Sequence, residues 1–330
     1  MEIGLIGLGG ISGLHAAVLE NVENAEVTDV FDLDMEKMMS FKEQYSNVNI
    51  NHSLDEIIGK ELDIYAVLTP PKTHFEILSY LVNNGVKNVF CEKPLVLDHA
   101  ELYDLQALNK TKDVKIFVGQ SYRFFPFVEV MKEYVDSKNE SLRAFYIEYK
   151  KPIEKIKPLD GWRSLYEGYV IQDNGVHLVD LLRHISGQEI TKTYAIGSNT
   201  SGRIKGYDFA SLNLILENGA AGTILLDHNA RHETTLFSGD QHFYFETYSL
   251  HLTKNYLKSI TYSGNESILL EKVSEDWFGA FRKMWLTFID DIKLDRVPTI
   301  NVENNFGTIK VICDAVSFSK KDRGGKYGYE

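Results

Sequence analysis

Glu2-Ile3-Gly4-Leu5-Ile6-Gly7-Leu8-Gly9-Gly10-Ile11-Ser12-Gly13 runs from an apolar strand into a glycine turn and on into the apolar helix of residues 14–19. Strand, glycine turn and helix in that order suit a pyrophosphate. Glycine permits the tight turn and close backbone approach, and the helix N-terminus offers free amides at the positive end of its dipole. Gly7, Gly9, Gly10, Ile11 and Ser12 are therefore the cofactor-binding candidates of this turn. Ser12 stands where the third glycine of G-x-G-x-x-G falls, and its small side chain keeps helix and strand close. The second strand ends in Phe31-Asp32, where a ribose-binding carboxylate is expected. Asp32 would accept hydrogen bonds from the adenosine hydroxyls and repel a 2′-phosphate. Its neighbour Leu33 supplies no compensating charge, so NAD is favoured over NADP. Asp32 also fits a helix N-cap, a role Asp34 can share.

The same rhythm continues to about residue 120. Apolar runs at Glu2–Ile6, Glu26–Phe31, near Val48, at 63–68, Asn88–Cys91 and Lys115–Val118 alternate with amphipathic stretches, the pattern of a doubly wound parallel sheet. Ser53-Leu54-Asp55-Glu56 and Asp98-His99-Ala100-Glu101 fit capping boxes, and Asn83-Asn84-Gly85 marks a helix end. Beyond about residue 140 the texture changes to long alternating runs, 142–149 and 210–217, the latter followed by Asn218-Gly219. An Asn-Gly turn between such runs signals a hairpin, so an antiparallel sheet is expected there. Helices are expected at 171–185, 277–294 and 302–319. The expected organisation is α/β: a Rossmann domain over 1–120 and an α+β domain over 121–330 with an open antiparallel sheet, the boundary falling within 119–141.

The 330 residues carry 35 basic and 47 acidic side chains, a formal charge of -12 that would repel a nucleic-acid backbone or an anionic membrane surface. The only cysteines, Cys91 and Cys313, are too few for a disulfide framework or a thiolate zinc site. No basic leader precedes Glu2, and no apolar run approaches the roughly 18 residues of a membrane helix. A cytoplasmic location is expected, with neither nucleic acid nor membrane as partner.

At Cys91-Glu92-Lys93-Pro94 a lysine ends a parallel strand and so faces the crevice where such sheets bind ligands. With Thr69-Pro70-Pro71-Lys72-Thr73-His74, Tyr122-Arg123-Phe124, Trp162-Arg163 and Asp173-Asn174-Gly175-Val176-His177-Leu178-Val179-Asp180, in that order, the chain resembles the Gfo/Idh/MocA family over nearly its whole length. That family takes its name from glucose-fructose oxidoreductase, inositol dehydrogenase and a rhizopine-catabolism protein. The resemblance implies NAD(P)-dependent hydride transfer to or from a secondary alcohol of a small polyhydroxylated substrate, a sugar or cyclitol. It also implies an open sheet that commonly forms the oligomer interface, hence a homodimer or homotetramer. Carried over by position, Glu92 and Lys93 sit beside the nicotinamide ribose, Thr69, Pro70 and His74 line the cofactor groove, and Asp173 with His177 handles the proton. Gly168-Tyr169-Val170-Ile171-Gln172 departs from the glycine-rich stretch that often precedes the family's aspartate, which reshapes the substrate pocket.

Oxidising an alcohol by hydride transfer requires a base within hydrogen-bond reach of the hydroxyl. The ordinary pKa of histidine suits His177 to this task, and Asp173, four residues earlier on one expected helix, can orient the imidazole and stabilise its protonated form. Lys93 can hydrogen-bond the same substrate oxygen and favour its anionic character. Either Lys93 or His177 can take the proton. Arg163 closes a basic stretch with Lys150, Lys151, Lys155 and Lys157; it reads as part of a solvated face or as a bidentate partner of a phosphorylated or carboxylated substrate. Asp180 and His184 extend the polar stripe; Asp180 can cap or pair structurally, and for His184 the role of a satisfied surface or core histidine outweighs a functional one. Asp and His at four-residue spacing can chelate an ion, yet no third ligand is identifiable, so no metal is expected. Two other functions share these residues: a non-catalytic dinucleotide-binding sensor and a metal-dependent hydrolase or lyase. The intact set of Lys93, Asp173 and His177 favours the dehydrogenase.

Overall fold

The computed structural model describes residues 1–155, 166–230 and 240–324. Six strands, β1 (Glu2–Ile6), β2 (Glu26–Phe31), β3 (Asn49–Ile50), β4 (Ile64–Val67), β5 (Asn88–Cys91) and β6 (Lys115–Val118), form a sheet in the order β3-β2-β1-β4-β5-β6. Every pairing in it is parallel. Five helices connect the strands: α1 (Ser12–Leu19), α2 (Met35–Gln44), α3 (Leu54–Ile58), α4 (His74–Asn83) and α5 (His99–Thr111). All four residues of β4 are buried, as expected of a parallel strand covered on both faces.

The strand order reverses between β1 and β4, so the carboxyl ends of these neighbours open onto the position where such sheets bind ligands. Gly7 sets the crossing there. Its φ is +95°, and a Cβ would lie 2.7 to 2.9 Å from the side chain and backbone of Thr69, so glycine alone fits.

Local signals place the helices. Ser53 Oγ accepts from the Glu56 amide at 3.0 Å and Asp98 Oδ1 from the Glu101 amide at 3.0 Å. Both glutamates reach back one residue further than an ideal capping box, to the amides of His52 at 2.7 Å and Leu97 at 3.3 Å. Gly85, with φ +85°, follows the end of α4 in the left-handed conformation.

The chain divides into two compact units, Met1–Phe124 with Trp277–Ile309, and Phe125–Asp276 with Lys310–Glu330. One boundary near residue 120 does not provide for this return. Helix α8 (Trp277–Lys293) belongs to the first unit because its aromatic face covers that unit's sheet. Trp285 stacks on Phe90 with centroids 4.5 Å apart, and Phe288 lies 5.1 Å from Phe117.

In the second unit, β7 (Ala144–Lys150), β8 (Ile190–Ser198), β9 (Phe209–Leu216), β10 (Ala221–Asp227), β11 (Gln241–Tyr244), β12 (Tyr248–Leu252), β13 (Leu257–Thr261) and β14 (Glu266–Leu270) form an open sheet in the order β14-β13-β12-β11-β7-β10-β9-β8. Strands β9 and β10 make the expected hairpin across Asn218-Gly219, with Gly219 at φ +86°. The sheet is antiparallel except at its centre, where β7 and β10 run parallel, Tyr149 opposite Leu226. Phe145, Ile147 and Tyr149 are buried on one face. Helix α6 (Pro126–Lys138) packs on α7 (Val176–Ser186), and the turn before α7 packs on β10. Tyr194, Ile196 and Tyr244 are exposed. The last helix, α9 (Val302–Gly324), is shared between the units at Ile309.

The caps carry a direct test. Ser53→Ala and Asp98→Ala should each destabilise the protein by about 1 kcal/mol, read as a lower denaturation midpoint at unchanged slope in urea; unchanged midpoints would show that these side chains do not hold the helix starts.

Candidate active site

Gly9 and Gly10 are exposed at the carboxyl end of β1, and nothing lies within 4 Å of a Cβ built on either. Ile11 occupies the N-cap position of α1 and provides no side-chain cap; Ser12 N donates to Gly9 O at 3.1 Å and Leu14 N to Ile11 O at 3.1 Å, so only part of the helix start is left for another acceptor. Ser12 is buried and its hydroxyl donates to Gly9 O at 2.6 Å, closing the turn where a third glycine is usual. These features fit a dinucleotide pyrophosphate, which needs open space above small residues and free amides. Asp34, not Asp32, caps α2, accepting from the amides of Glu36 and Lys37. Asp32 holds the glycine turn itself: Oδ2 accepts from Leu8 N at 2.7 Å and Oδ1 from Asp34 N at 2.9 Å. Leu33 is 95% exposed and carries no charge. Lys37 does, and its Nζ lies 3.9 Å from both Asp32 and Asp34, a cation one helical turn away that adjacency to Asp32 did not reveal.

Lys93 follows β5 and is half-buried; the Lys93-Pro94 bond is cis. Glu92 beside it is buried and engaged on both oxygens, Oε1 with His15 Nε2 at 3.0 Å and Oε2 with the Lys93 amide at 3.1 Å. His15, fully buried on α1, receives the Trp285 indole N–H on Nδ1 at 2.9 Å. Indole nitrogen only donates, so the imidazole carries its proton on Nε2 and donates to Glu92. The sequence reading missed both partners. His15 is a lone polar residue among Leu14, Ala16, Ala17, Val18 and Leu19, a signal that could have been used; Trp285 is 270 residues away and gives none.

The Thr69-Pro70 turn ends β4, and Thr73 Oγ1 donates to Thr69 Oγ1 at 2.9 Å. His74 was expected to line the cofactor groove, but it is fully buried behind this turn. Its ring lies between two carbonyl oxygens, Nδ1 2.9 Å from Pro94 O and Nε2 2.8 Å from Thr69 O. Burial lowers its pKa, although the two carbonyls oppose this. A neutral imidazole has one N–H, so His74 donates to one of these two carbonyl oxygens and only packs against the other.

Asp173 and His177 lie in the second unit on the continuous helical run expected there, but its geometry is not uniformly α. Ile171–Gly175 is a π turn, and α7 begins at Val176. The close packing of Gly175, where a Cβ would meet Leu226 Cδ1 at 3.1 Å, accompanies this wider turn. Asp173 is half-buried and His177 buried. Between them Asn174 Nδ2 donates to Tyr149 Oη at 3.1 Å, and Asn174 Oδ1 accepts from His228 Nε2 at 2.9 Å. His228 is fully buried and follows β10. Burial lowers its pKa to about 4; Asp173 and Asp208 pull it back up, and Lys151 adds to the fall. Its Nδ1 has no hydrogen-bond partner among the described residues, so protonating it would bury an unpaired N–H. Burial also raises the Tyr149 phenol pKa, with the Asp173 carboxylate adding to it. Asp180 is fully buried and His184 half-buried. Arg163 lies outside the described residues, as do Lys157 and Trp162. Among the described residues, no three His, Cys, Asp or Glu side chains gather as metal ligands, and no helix is long and apolar enough to cross a membrane.

A parallel sheet in this order, with an open glycine cradle after its first strand, defines a Rossmann fold. Residues 1–120 match the oxidoreductase family model described as an NAD-binding Rossmann fold, and residues 140–254 match the GFO/IDH/MocA C-terminal domain. The chain belongs to the Gfo/Idh/MocA family of oxidoreductases. It is 30% identical over 233 residues to myo-inositol 2-dehydrogenase of Thermotoga maritima, covering 68% of this chain and 67% of that one. Two solved structures share the fold along its length. An oxidoreductase from Agrobacterium radiobacter in complex with NAD+, L-tartaric acid and magnesium superposes with a TM-score of 0.86 at 16% identity, covering 98% of this chain and 97% of its own. Scyllo-inositol dehydrogenase from Lactobacillus casei, with bound NAD(H) and scyllo-inositol, superposes with a TM-score of 0.82 at 19% identity and the same coverage.

The His228 environment sets a pH dependence. Its folded pKa of about 4 lies below the ordinary 6.5, so its contribution to stability is present above pH 6.5 and is lost as the pH falls toward 4. The loss should reach about 3 kcal/mol. Urea unfolding of the parent protein and His228→Gln across this window should show a shallower decline in the variant; parallel curves would place the acid sensitivity elsewhere.

Proposed function

We propose that the protein is an NAD-dependent dehydrogenase acting on a secondary alcohol of a sugar, sugar derivative or cyclitol. The observation that carries this is the placement, at the carboxyl ends of β1 and β5 in one parallel sheet, of an open glycine cradle and the Glu92-Lys93 turn that His15 holds. The names of the inositol dehydrogenases among its relatives support a polyhydroxylated substrate. Bound NAD supplies the hydride acceptor. The chain's own residues do the rest: Gly9, Gly10 and Ile11 offer the pyrophosphate space and amides, Thr69 and Pro70 border the groove, and Asp32 accepts from the adenosine ribose hydroxyls. Lys93 donates to the substrate oxygen and favours its anionic form, His177 takes the hydroxyl proton, and Asp173 stabilises the resulting imidazolium. Arg163 binds a charged substituent where the substrate has one. The exposed face with Tyr194, Ile196 and Tyr244 supports self-association into a dimer or tetramer, and two buried cysteines that form no disulfide are consistent with a reducing, cytoplasmic setting.

Asp32 disfavours a 2′-phosphate by repulsion, and Lys37, shared between two carboxylates, offsets this only in part. The protein should bind NAD(H) more tightly than NADP(H), and Asp32→Ser with Leu33→Arg should narrow or reverse the preference; tighter NADP(H) binding by the parent would overturn it. Catalysis is tested by screening sugars, cyclitols and their phosphates for NADH formation, then comparing variants on the substrate found. Lys93→Ala and His177→Ala should each lower kcat/KM by about a hundredfold with little change in the NAD dissociation constant. Asp173→Asn should lower the rate and move the pH profile. Near-parental turnover by His177→Ala would remove it as the base.

A further inference from the structure

The turn carrying Asp173 rests on side chains that no motif singles out. Asn174 spends its amide nitrogen on Tyr149 Oη, 3.1 Å away, so the oxygen of the same amide is the end that faces His228. That oxygen only accepts, and the His228 ring therefore presents Nε2–H to it, at 2.9 Å. Tyr149 and His228 stand near the ends of β7 and β10, parallel neighbours whose register fixes the spacing of the two partners. The Tyr169 ring meets His228 edge-on with centroids 5.4 Å apart, and Tyr149, Tyr169 and His228 are all buried. On the strand side the clamp is buried and set by the β7–β10 register. On the other side is a π turn, which holds one residue more than an α turn and persists only where something outside the helix compensates for it. Within Ile171–Gly175, Asn174 makes one such outside connection, beside the packing of Gly175 against Leu226 of β10.

If the turn relaxed to α geometry, the residues before it would be offset by one position, a rotation of about 100° around the helix axis. Asp173 would then point elsewhere while α7 and His177 stayed in place. We propose that His228 and Tyr149 are positioning residues: through Asn174 they hold the Ile171–Gly175 turn in its π form and so set the direction of Asp173 with respect to His177. Its relevance to catalysis rests on the proton-handling roles given above to Asp173 and His177.

Two substitutions separate positioning from packing. Glutamine at 228 places an amide N–H near the position of imidazole Nε2 and can still donate to Asn174; phenylalanine keeps a ring against Tyr149 and Tyr169 but donates nothing. The first readout needs no turnover: the titration midpoint of the His177 imidazole, followed by 15N-resolved NMR in the full-length protein. His228→Phe should lower this midpoint, because a displaced Asp173 no longer stabilises the imidazolium, and His228→Gln should restore it. In the assay, His228→Phe should lower kcat about tenfold or more, in the range expected for a misdirected group, with KM and the NAD dissociation constant little changed. His228→Gln should recover most of this. If His228→Phe does not fold, Tyr149→Phe, which removes only the hydroxyl acceptor, and Asn174→Ala carry the same comparison. A His228→Phe protein with an unmoved His177 midpoint overturns the proposal, and a lower melting temperature alone would mark the cluster as packing. A moved midpoint with unimpaired turnover in His177→Ala leaves the positioning intact and removes the proton-handling roles instead.

Discussion

An indole N–H has no acceptor capacity, and this asymmetry organises the nucleotide-binding unit. Trp285 donates to His15, His15 must then donate to Glu92, and Glu92 is left with one oxygen for the Lys93 amide. Three segments distant in sequence, the helix after the glycine turn, the end of β5 and α8, are thereby joined in a fixed order of donors and acceptors. The surroundings enforce the order. His15 meets Phe90 and Phe281 edge-on at centroid separations of 5.2 and 5.1 Å, and the imidazole is fully buried. Breaking a link would strand a polar group where no water replaces it, which makes such chains costly to disrupt.

The second unit uses the same device in different material. There the one-way partner is an asparagine whose nitrogen is already committed, and His228 is again confined to donation through Nε2. Burial keeps His228 neutral over ordinary pH, so it serves as a strut with a defined donor end. Each histidine fixes a turn next to a residue of the proposed chemistry: Lys93 in one unit, Asp173 in the other.

The parallel sheet is legible in the sequence because each strand, turn and cap carries its own local signal. Gly7, Ser53, Asp98 and Gly85 act within a few residues of the elements they shape. The hairpin at Asn218-Gly219 is legible for the same reason. Strand direction is not: alternation in 142–149 shows that one face is buried but says nothing about a parallel neighbour, and the β7–β10 pair runs against the expected pattern. The π turn is equally hidden, since apolar spacing in 171–185 looks the same whether or not one residue is extra. Asp32 and Asp34 both fit a cap by position, and only the placement of α2 assigns that role to Asp34. Glu92, Lys93, Asp173 and His177 come into view through motif order, whereas His15, Trp285, Asn174 and His228 are joined by contacts that span the fold.

The interrupted first unit has a consequence in time. Trp285 lies 270 residues after His15, and at a synthesis rate of about 5 to 20 residues per second the ribosome reaches it roughly 15 to 50 s later. During that interval His15 has no indole donor, and Phe90 and Phe117 lack the rings of α8 that cover them in the finished protein. The strands of the nucleotide-binding sheet emerge first, yet that unit can complete its core only after Phe125–Asp276 has been synthesised, and the second unit waits in turn for the segment from Lys310 on, so neither unit is complete until nearly the whole chain has been made.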